Sequence, residues 1–293
     1  MSEQLRQSAI SAARRQLLFY LAGTSLPVAF AAWAVSTRGG LAQNPLLIPL
    51  CMLTPMISAV VVQKMAGMRV FGSGGLGLAF GRLRWWALAP AGFALFVVVS
   101  LSLSVALSPQ LIVNHAELVA NVSHLSIPQT GTLAGQLALA LVLTLLVAPL
   151  LNLPIFLGEE TGWRGFMNPR LLTLFGRRGL ILGGLVWALW HLPFILLGHN
   201  FPQHPWLGMA VWIPVCACLN IILHAIREAG RSILPCALSH GVMNQLATLL
   251  LTLFVRETNF IDVVHGPAGL IGLLVLLPAA TWVYRGVNDG PTR

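Results

Sequence analysis

Long apolar runs separated by short polar connections dominate this sequence. A membrane-spanning helix needs about 20 predominantly apolar residues. Eight runs meet that requirement: 17–36, 45–63, 85–108, 134–157, 179–198, 207–226, 232–254 and 265–284. Of the connections, 109–133 has the most room for extra structure. The pattern predicts an all-α polytopic membrane helical bundle of about eight transmembrane helices, forming a single integral-membrane domain over residues 1–293.

The composition supports a membrane protein. Of the 293 residues, 57% are hydrophobic and 9% are charged, whereas a typical soluble domain has about 25% charged residues. The apolar content also excludes an intrinsically disordered chain. Lys64 is the one lysine among 17 basic residues, and this preference for arginine is typical of a GC-rich bacterial genome. The expected location is the bacterial cell (inner) membrane, and no other expectation depends on the arginine preference.

The distribution of positive charge predicts the topology. Counting Lys and Arg in successive connections and at both termini gives 15 on one side of the eight runs and 2 on the other. Cytoplasmic loops carry the excess of positive charge in membrane proteins, so both termini are predicted to be cytoplasmic. The net charge of +9 is then explained by topology, and we expect no nucleic-acid partner.

The first run has an alternative interpretation as a cleaved signal peptide. Arg14 and Arg15 precede it, and Ala29-Phe30-Ala31 has the small-x-small form of a cleavage site. The apolar run continues past that tripeptide. We therefore expect a retained helix.

Ionisable side chains inside a membrane are energetically costly and usually functional. In this chain, such side chains and their polar neighbours form three groups, at the end of the fourth apolar run and in the fifth and seventh runs: Glu159, Glu160 and Arg164; Trp187 and His191; and His240 and Asn244. Any one group alone is compatible with an interfacial ion pair or a packing residue. Three groups at similar depth predict a shared functional site.

Helical spacing suggests a role for each residue, because residues four apart share a helix face. Glu160 and Arg164 are expected to form an ion pair, which leaves Glu159 without a local counter-ion and suited to act as a general base. By the same spacing, Trp187 is expected to stack against His191. His240 and Asn244 are expected to present two polar groups to one point.

The depth of these residues is consistent with one pocket. His191 lies about 18 Å beyond Gly179 along a helix, and Asn244 lies a similar distance beyond Ser232. Pro154 is expected to kink the fourth helix and tilt Glu159 toward them. We expect the resulting active site to open to the cytoplasm.

The three groups, in this order, resemble the CAAX protease and bacteriocin-processing (Abi) family of intramembrane endopeptidases. The family motifs EExxxR, FxxxH and HxxxN correspond to Glu159-Glu160…Arg164, Trp187…His191 and His240…Asn244. The one departure is tryptophan in place of phenylalanine at position 187. The resemblance covers residues 134–254, the expected catalytic core, and the eight-helix plan is similar to that of type II CAAX prenyl endopeptidases.

The resemblance implies a mechanism. Glu159, assisted by His191, would activate a water molecule for attack on a peptide carbonyl, and His240 and Asn244 would stabilise the oxyanion. Glu160, Arg164 and Trp187 would support them. The expected substrate is a prenylated CAAX-type protein or a membrane-associated peptide within the lipid bilayer. We expect no cofactor; if a metal is used, Zn²⁺ bound by Glu159, His191 and His240 is the alternative.

Two other classes of function remain open from the residues alone. Buried Glu, His and Arg also build proton and ion pathways, which makes a transporter or ion-binding protein the main alternative. No internal repeat is evident, however, and the polar groups occupy three of the eight runs. A catalytically silent scaffold that binds a partner helix is the third interpretation.

Overall fold

The computed structural model describes residues 3–72 and 74–287, apart from the side chain of Arg6. These residues form helices joined by turns and loops. The β-structure among them is a single antiparallel bridge between Ile112 and Val255. The predicted all-α membrane bundle is confirmed. The first two and last six residues, which carry the two termini of the predicted topology, lie outside the described residues.

Helices occupy most of the described chain. In order, they are α1 (Glu3–Ser36), α2 (Leu47–Met65), α3 (Trp85–Leu107), α4 (His115–Ser123), α5 (Leu133–Leu151), α6 (Leu153–Glu160), α7 (Asn168–Phe175), α8 (Arg178–Leu196), α9 (Pro205–Gly230), α10 (Leu234–Phe254) and α11 (Leu270–Gly286).

Among the described residues, seven helices are long and apolar enough to cross a membrane: α1, α2, α3, α5, α8, α9 and α10. The eighth predicted run forms α11, an apolar helix of 17 residues, which is at the short end of the range for a bilayer span. Each of the eight predicted runs thus contains helix.

The predicted fourth span is interrupted, unlike the continuous helix that we expected over 134–157. Residues Leu143–Val147 within α5 are π-helical, α5 ends at Leu151, and α6 begins at Leu153. Pro154 lies in the first turn of α6, where its missing N–H group leaves no helical hydrogen bond unmade. Pro154 therefore starts a new helix rather than kinking a continuous one.

A second π-helical segment, Thr161–Met167, joins α6 to α7. All seven of its residues are buried, and π-helical turns often occur at functional sites. Glu159 and Glu160 end α6 immediately before this segment. The two carboxylates therefore lie where α6 meets the π-helical segment, inside the bundle. Helix α6 packs against α2 and α10.

Close packing of α8 on α9 brings the second group of predicted site residues to the same region. A Cβ atom added at Gly184 would lie 2.3 Å from the Cα atom of Ala217 on α9. Only glycine permits this approach of the two backbones. As a result, the ring of His191 on α8 reaches the ring of Trp212 on α9, with a centroid distance of 5.5 Å.

Candidate active site

Glu160 lies at the centre of a buried ionic cluster. Its Oε1 atom accepts hydrogen bonds from Arg164 Nη1 at 2.9 Å and from His240 Nδ1 at 3.0 Å. Glu160 and Arg164 are fully buried. The predicted Glu160–Arg164 pair is therefore present, and the same carboxylate also joins the π-helical segment to His240 of α10.

Glu159 is held by two indole groups rather than by a cation. Its Oε2 atom accepts hydrogen bonds from Trp187 Nε1 at 2.7 Å and from Trp163 Nε1 at 3.1 Å. The residue is 2% exposed. Within the described part of the chain, Glu159 forms no ion pair, and its Oε1 atom has no hydrogen-bond partner. One oxygen of this carboxylate is therefore fixed by the protein and the other has no protein partner.

Trp187 does not stack on His191 as we expected. The two rings meet edge to face, with a centroid distance of 5.8 Å and an interplanar angle of 62°. A buried indole N–H group needs an acceptor, and the nearby carboxylate of Glu159 supplies one. The guanidinium group of Arg164 lies 4.0 Å from the centroid of the Trp187 ring. The Trp187 indole therefore contacts both Glu159 and Arg164, the ion-pair partner of Glu160.

His191 is oriented by the backbone of its own helix and by aromatic rings. Its Nδ1 atom lies 2.8 Å from the Trp187 carbonyl oxygen, so Nδ1 carries the proton and donates it to that carbonyl. Edge contacts with Trp190 and Trp212 enclose the ring. In the neutral tautomer that this bond selects, Nε2 is the atom with a free lone pair.

A cavity of about 320 Å³ is lined by several of the predicted site residues. Trp187, His191, His240 and Asn244 all contribute to its wall. His191 and His240 are buried, whereas Asn244 is exposed. Glu159 is not part of the described wall, and it is connected to the cavity through its hydrogen bond to Trp187.

The cavity lies toward the C-terminal ends of α8 and α10. Its wall includes residues of the segments that follow those helices: His199, Asn200, Phe260, Asp262 and His265. None of the described residues that line the cavity belongs to the basic turns at 176–178 and 227–233. His191 lies about 20 Å from the start of α8 and about 8 Å from its end. The opening of the site to the cytoplasm stays a prediction.

Asp262 joins the segment that follows α10 to the segment that follows α8, and both segments border this end of the cavity. Its carboxylate accepts hydrogen bonds from the backbone N–H groups of Gln203 and His204, and from His204 Nδ1 at 2.9 Å. Burial lowers the pKa of His199 and that of His265, which favours the uncharged form of both imidazoles. The sequence analysis did not identify this border, whose residues share no motif or helical spacing.

Hydrogen bonds engage one polar atom of each residue in the zinc alternative and leave Glu159 Oε1 and the Nε2 atoms of His191 and His240 without a protein partner among the described residues. Glu159 Oε2 accepts two indole hydrogen bonds, and the Nδ1 atoms of His191 and His240 are bonded to a carbonyl and to Glu160. No group of three or more His, Cys, Asp or Glu residues within 3–72 and 74–287 is arranged to hold a metal ion.

Comparisons with known proteins match the segment that contains the three motifs. Residues 134–246 match the family model described as type II CAAX prenyl endopeptidase Rce1-like. A CAAX prenyl protease 2 from Methanococcus maripaludis is 27% identical over 132 residues, which are 43% of this chain and 45% of the relative. The chain thus aligns with less than half the length of that curated relative. The resemblance inferred from the motifs is confirmed over this segment.

Proposed function

We propose that this protein is an intramembrane endopeptidase that hydrolyses a peptide bond with a water molecule activated by Glu159. The observation that carries the proposal is a buried carboxylate without a cationic partner among the described residues, next to a cavity bordered by two histidines and an asparagine. The match of residues 134–246 to an endopeptidase family supports the same reaction class.

The proposed base is the Oε1 atom of Glu159. The two indole donors bind Oε2, so Oε1 remains to accept a proton from water that enters beside the Trp187 ring. His191 Nε2 accepts a second hydrogen bond from this water. The hydroxide oxygen attacks the peptide carbonyl carbon, and the proton taken by Glu159 is transferred to the departing amine nitrogen, which completes hydrolysis.

His240 and Asn244 are the proposed oxyanion donors. When the His240 ring is protonated, its Nδ1–H donates to Glu160 and its Nε2–H is left to donate to the oxyanion. Asn244 supplies its side-chain N–H group one helical turn further along α10. Glu160 and Arg164 are supporting residues in this account.

The cavity is suited to a substrate with an apolar portion. Beyond the polar groups, its wall includes Leu219, Met243, Ala247, Leu251 and Phe260. The related protein from Methanococcus maripaludis is named a CAAX prenyl protease. We propose a membrane-associated peptide as the substrate class, with a prenylated CAAX-type peptide as the first to test. The proposed mechanism uses no metal ion.

Cleavage of a synthetic peptide tests the function and the metal independence together. The purified protein in detergent is expected to cleave a farnesylated CAAX-type peptide faster than the same peptide without the prenyl group, because the apolar cavity wall binds the prenyl chain. Chromatography with mass spectrometry measures the products, with EDTA present or absent.

One result of the EDTA experiment would contradict the metal-independent mechanism. Activity that EDTA removes and Zn²⁺ restores would support the alternative in which Glu159, His191 and His240 bind zinc. Absence of cleavage, together with ion flux in proteoliposomes, would support the transporter interpretation. Absence of both would leave the silent scaffold.

The position of the cavity leads to a prediction about access. If the charge-based topology is correct, the cavity end bordered by Asp262 faces away from the cytoplasm. We expect Thr248→Cys, in the cavity wall, to react with a membrane-impermeant maleimide in right-side-out vesicles. Lys64→Cys, an exposed position in the last turn of α2 beside a basic connection, is expected to react only in inverted vesicles.

The natural cysteines give little background in this experiment, because Cys51, Cys216, Cys218 and Cys236 are all buried. Reaction of Thr248→Cys only in inverted vesicles would contradict the proposed access and restore a cytoplasmic opening. Failure to react from either side would show that water does not fill the cavity.

A further inference from the structure

We propose that the indole N–H group of Trp187 is a positioning group that keeps Glu159 ionised and aligned for proton transfer. This inference rests on the proposed function of Glu159 as the base. It assigns Trp187 a polar role that an aromatic packing residue does not have.

The hydrogen bonds to Glu159 carry the inference. Trp187 Nε1 donates from α8 at 2.7 Å, the shorter of the two bonds, and Trp163 Nε1 donates from the π-helical segment at 3.1 Å. The two tryptophans and the glutamate are nearly or completely buried. Hydrogen bonds to the charged form of a buried carboxylate favour that form. The two indoles therefore stabilise the charged carboxylate by hydrogen bonds, at a residue that forms no ion pair among the described residues.

Both donors bind the same oxygen, and this determines the orientation of the carboxylate. With Oε2 fixed by two elements, rotation of the carboxylate is restricted, and Oε1 is the oxygen that can accept a proton. Trp187 also accepts the Nδ1–H hydrogen bond of His191 through its backbone carbonyl at 2.8 Å. One residue thus orients Glu159 with its side chain and His191 with its backbone.

Arg164 adds to the donor strength of Trp187. Its guanidinium group lies 4.0 Å from the centroid of the indole ring, and a cation over an aromatic face is attracted to the ring electrons. The cation draws electron density from the ring, which makes the N–H group more positive. The Glu160–Arg164 pair is therefore coupled to Glu159 through the Trp187 ring.

Trp187→Phe removes the N–H group and keeps an aromatic ring. The other titratable groups around Glu159 are unchanged by this substitution: Tyr20, Glu160, Arg164, His191, Cys216 and His240. A hydrogen bond to a charged group changes a protonation equilibrium by about tenfold to a hundredfold.

We expect the acidic limb of the kcat/KM profile of Trp187→Phe to move about one to two units toward higher pH, because protonated Glu159 cannot accept a proton from water. KM for the peptide is expected to change little. Trp282→Phe is the matched control, because Trp282 is an exposed residue of α11, and its profile should coincide with that of the natural protein. An unchanged acidic limb in active Trp187→Phe would overturn the inference while leaving the proposed function intact.

A second measurement does not require activity. In protein labelled with ¹⁵N-tryptophan, the indole N–H resonance that disappears in Trp187→Phe belongs to Trp187. We expect this resonance to move upfield in Glu159→Gln, because a neutral amide oxygen is a weaker acceptor than a carboxylate. A resonance that does not move in folded Glu159→Gln would show that the indole is not bonded to an ionised Glu159.

Discussion

Asn244→Ala is expected to lower kcat for peptide cleavage by about 10²–10³ while KM changes little, as is typical when one oxyanion donor is removed. Asn244 and His240 lie one helical turn apart on α10 and both border the cavity. A donor used only when negative charge develops on the carbonyl oxygen affects turnover rather than binding. Steady-state kinetics on a fluorogenic peptide measure both constants.

Thr248→Ala is the matched control for this prediction. Thr248 follows Asn244 by one turn, borders the same cavity, and donates its hydroxyl group to the Asn244 carbonyl oxygen at 2.9 Å. Its truncation removes a polar group from the wall without removing a proposed catalytic group, so kcat should be nearly unchanged. A large rise in KM for Asn244→Ala with kcat intact would show that Asn244 binds the substrate and is not an oxyanion donor.

Glu159→Gln is expected to lower kcat by about 10²–10⁴, the usual contribution of a general base. Glutamine has the same shape, and its amide oxygen can accept the hydrogen bonds from Trp163 and Trp187. We therefore expect the variant to fold normally, with a melting temperature near that of the natural protein. Kinetics and thermal unfolding in the same detergent measure the two effects.

Glu160→Gln separates the two adjacent carboxylates. This change removes the charged partner of Arg164, which is fully buried, and loss of one partner of a buried ion pair costs about 3–5 kcal/mol of stability. It also weakens the hydrogen bond that orients His240. We expect a lower melting temperature and weakened cleavage, but not the near-complete loss expected for Glu159→Gln. Equal loss of activity in two folded variants would contradict the assignment of Glu159 as the base.

Local features of this site were predictable from the sequence. The Glu160–Arg164 ion pair follows from a separation of four residues on one helical stretch, and it forms even though Arg164 lies in a π-helical segment. The apolar runs also predicted the helices, because each must satisfy its backbone groups internally in a bilayer. The placement of His240 and Asn244 beside one cavity follows from the same spacing rule.

Long-range contacts were not predictable in the same way. Glu160 and His240 are 80 residues apart in sequence, and no spacing rule relates them. Trp187 was expected to replace an aromatic packing residue, and its hydrogen bond to Glu159 depends on how α8 packs beside the π-helical segment that follows α6. The cavity border around Asp262 depends on the loops that follow α8 and α10, whose conformation no motif specifies.

Hydrolysis in H₂¹⁸O measures the central claim most directly. The purified protein and Glu159→Gln are each incubated with a farnesylated CAAX-type peptide in H₂¹⁸O containing EDTA, and mass spectrometry follows the products. The account predicts one ¹⁸O atom in the new carboxylate released by the natural protein, and product formation by Glu159→Gln reduced by about 10²–10⁴. Absence of cleavage by the folded natural protein, or equal ¹⁸O incorporation by both proteins, would contradict a water molecule activated by Glu159.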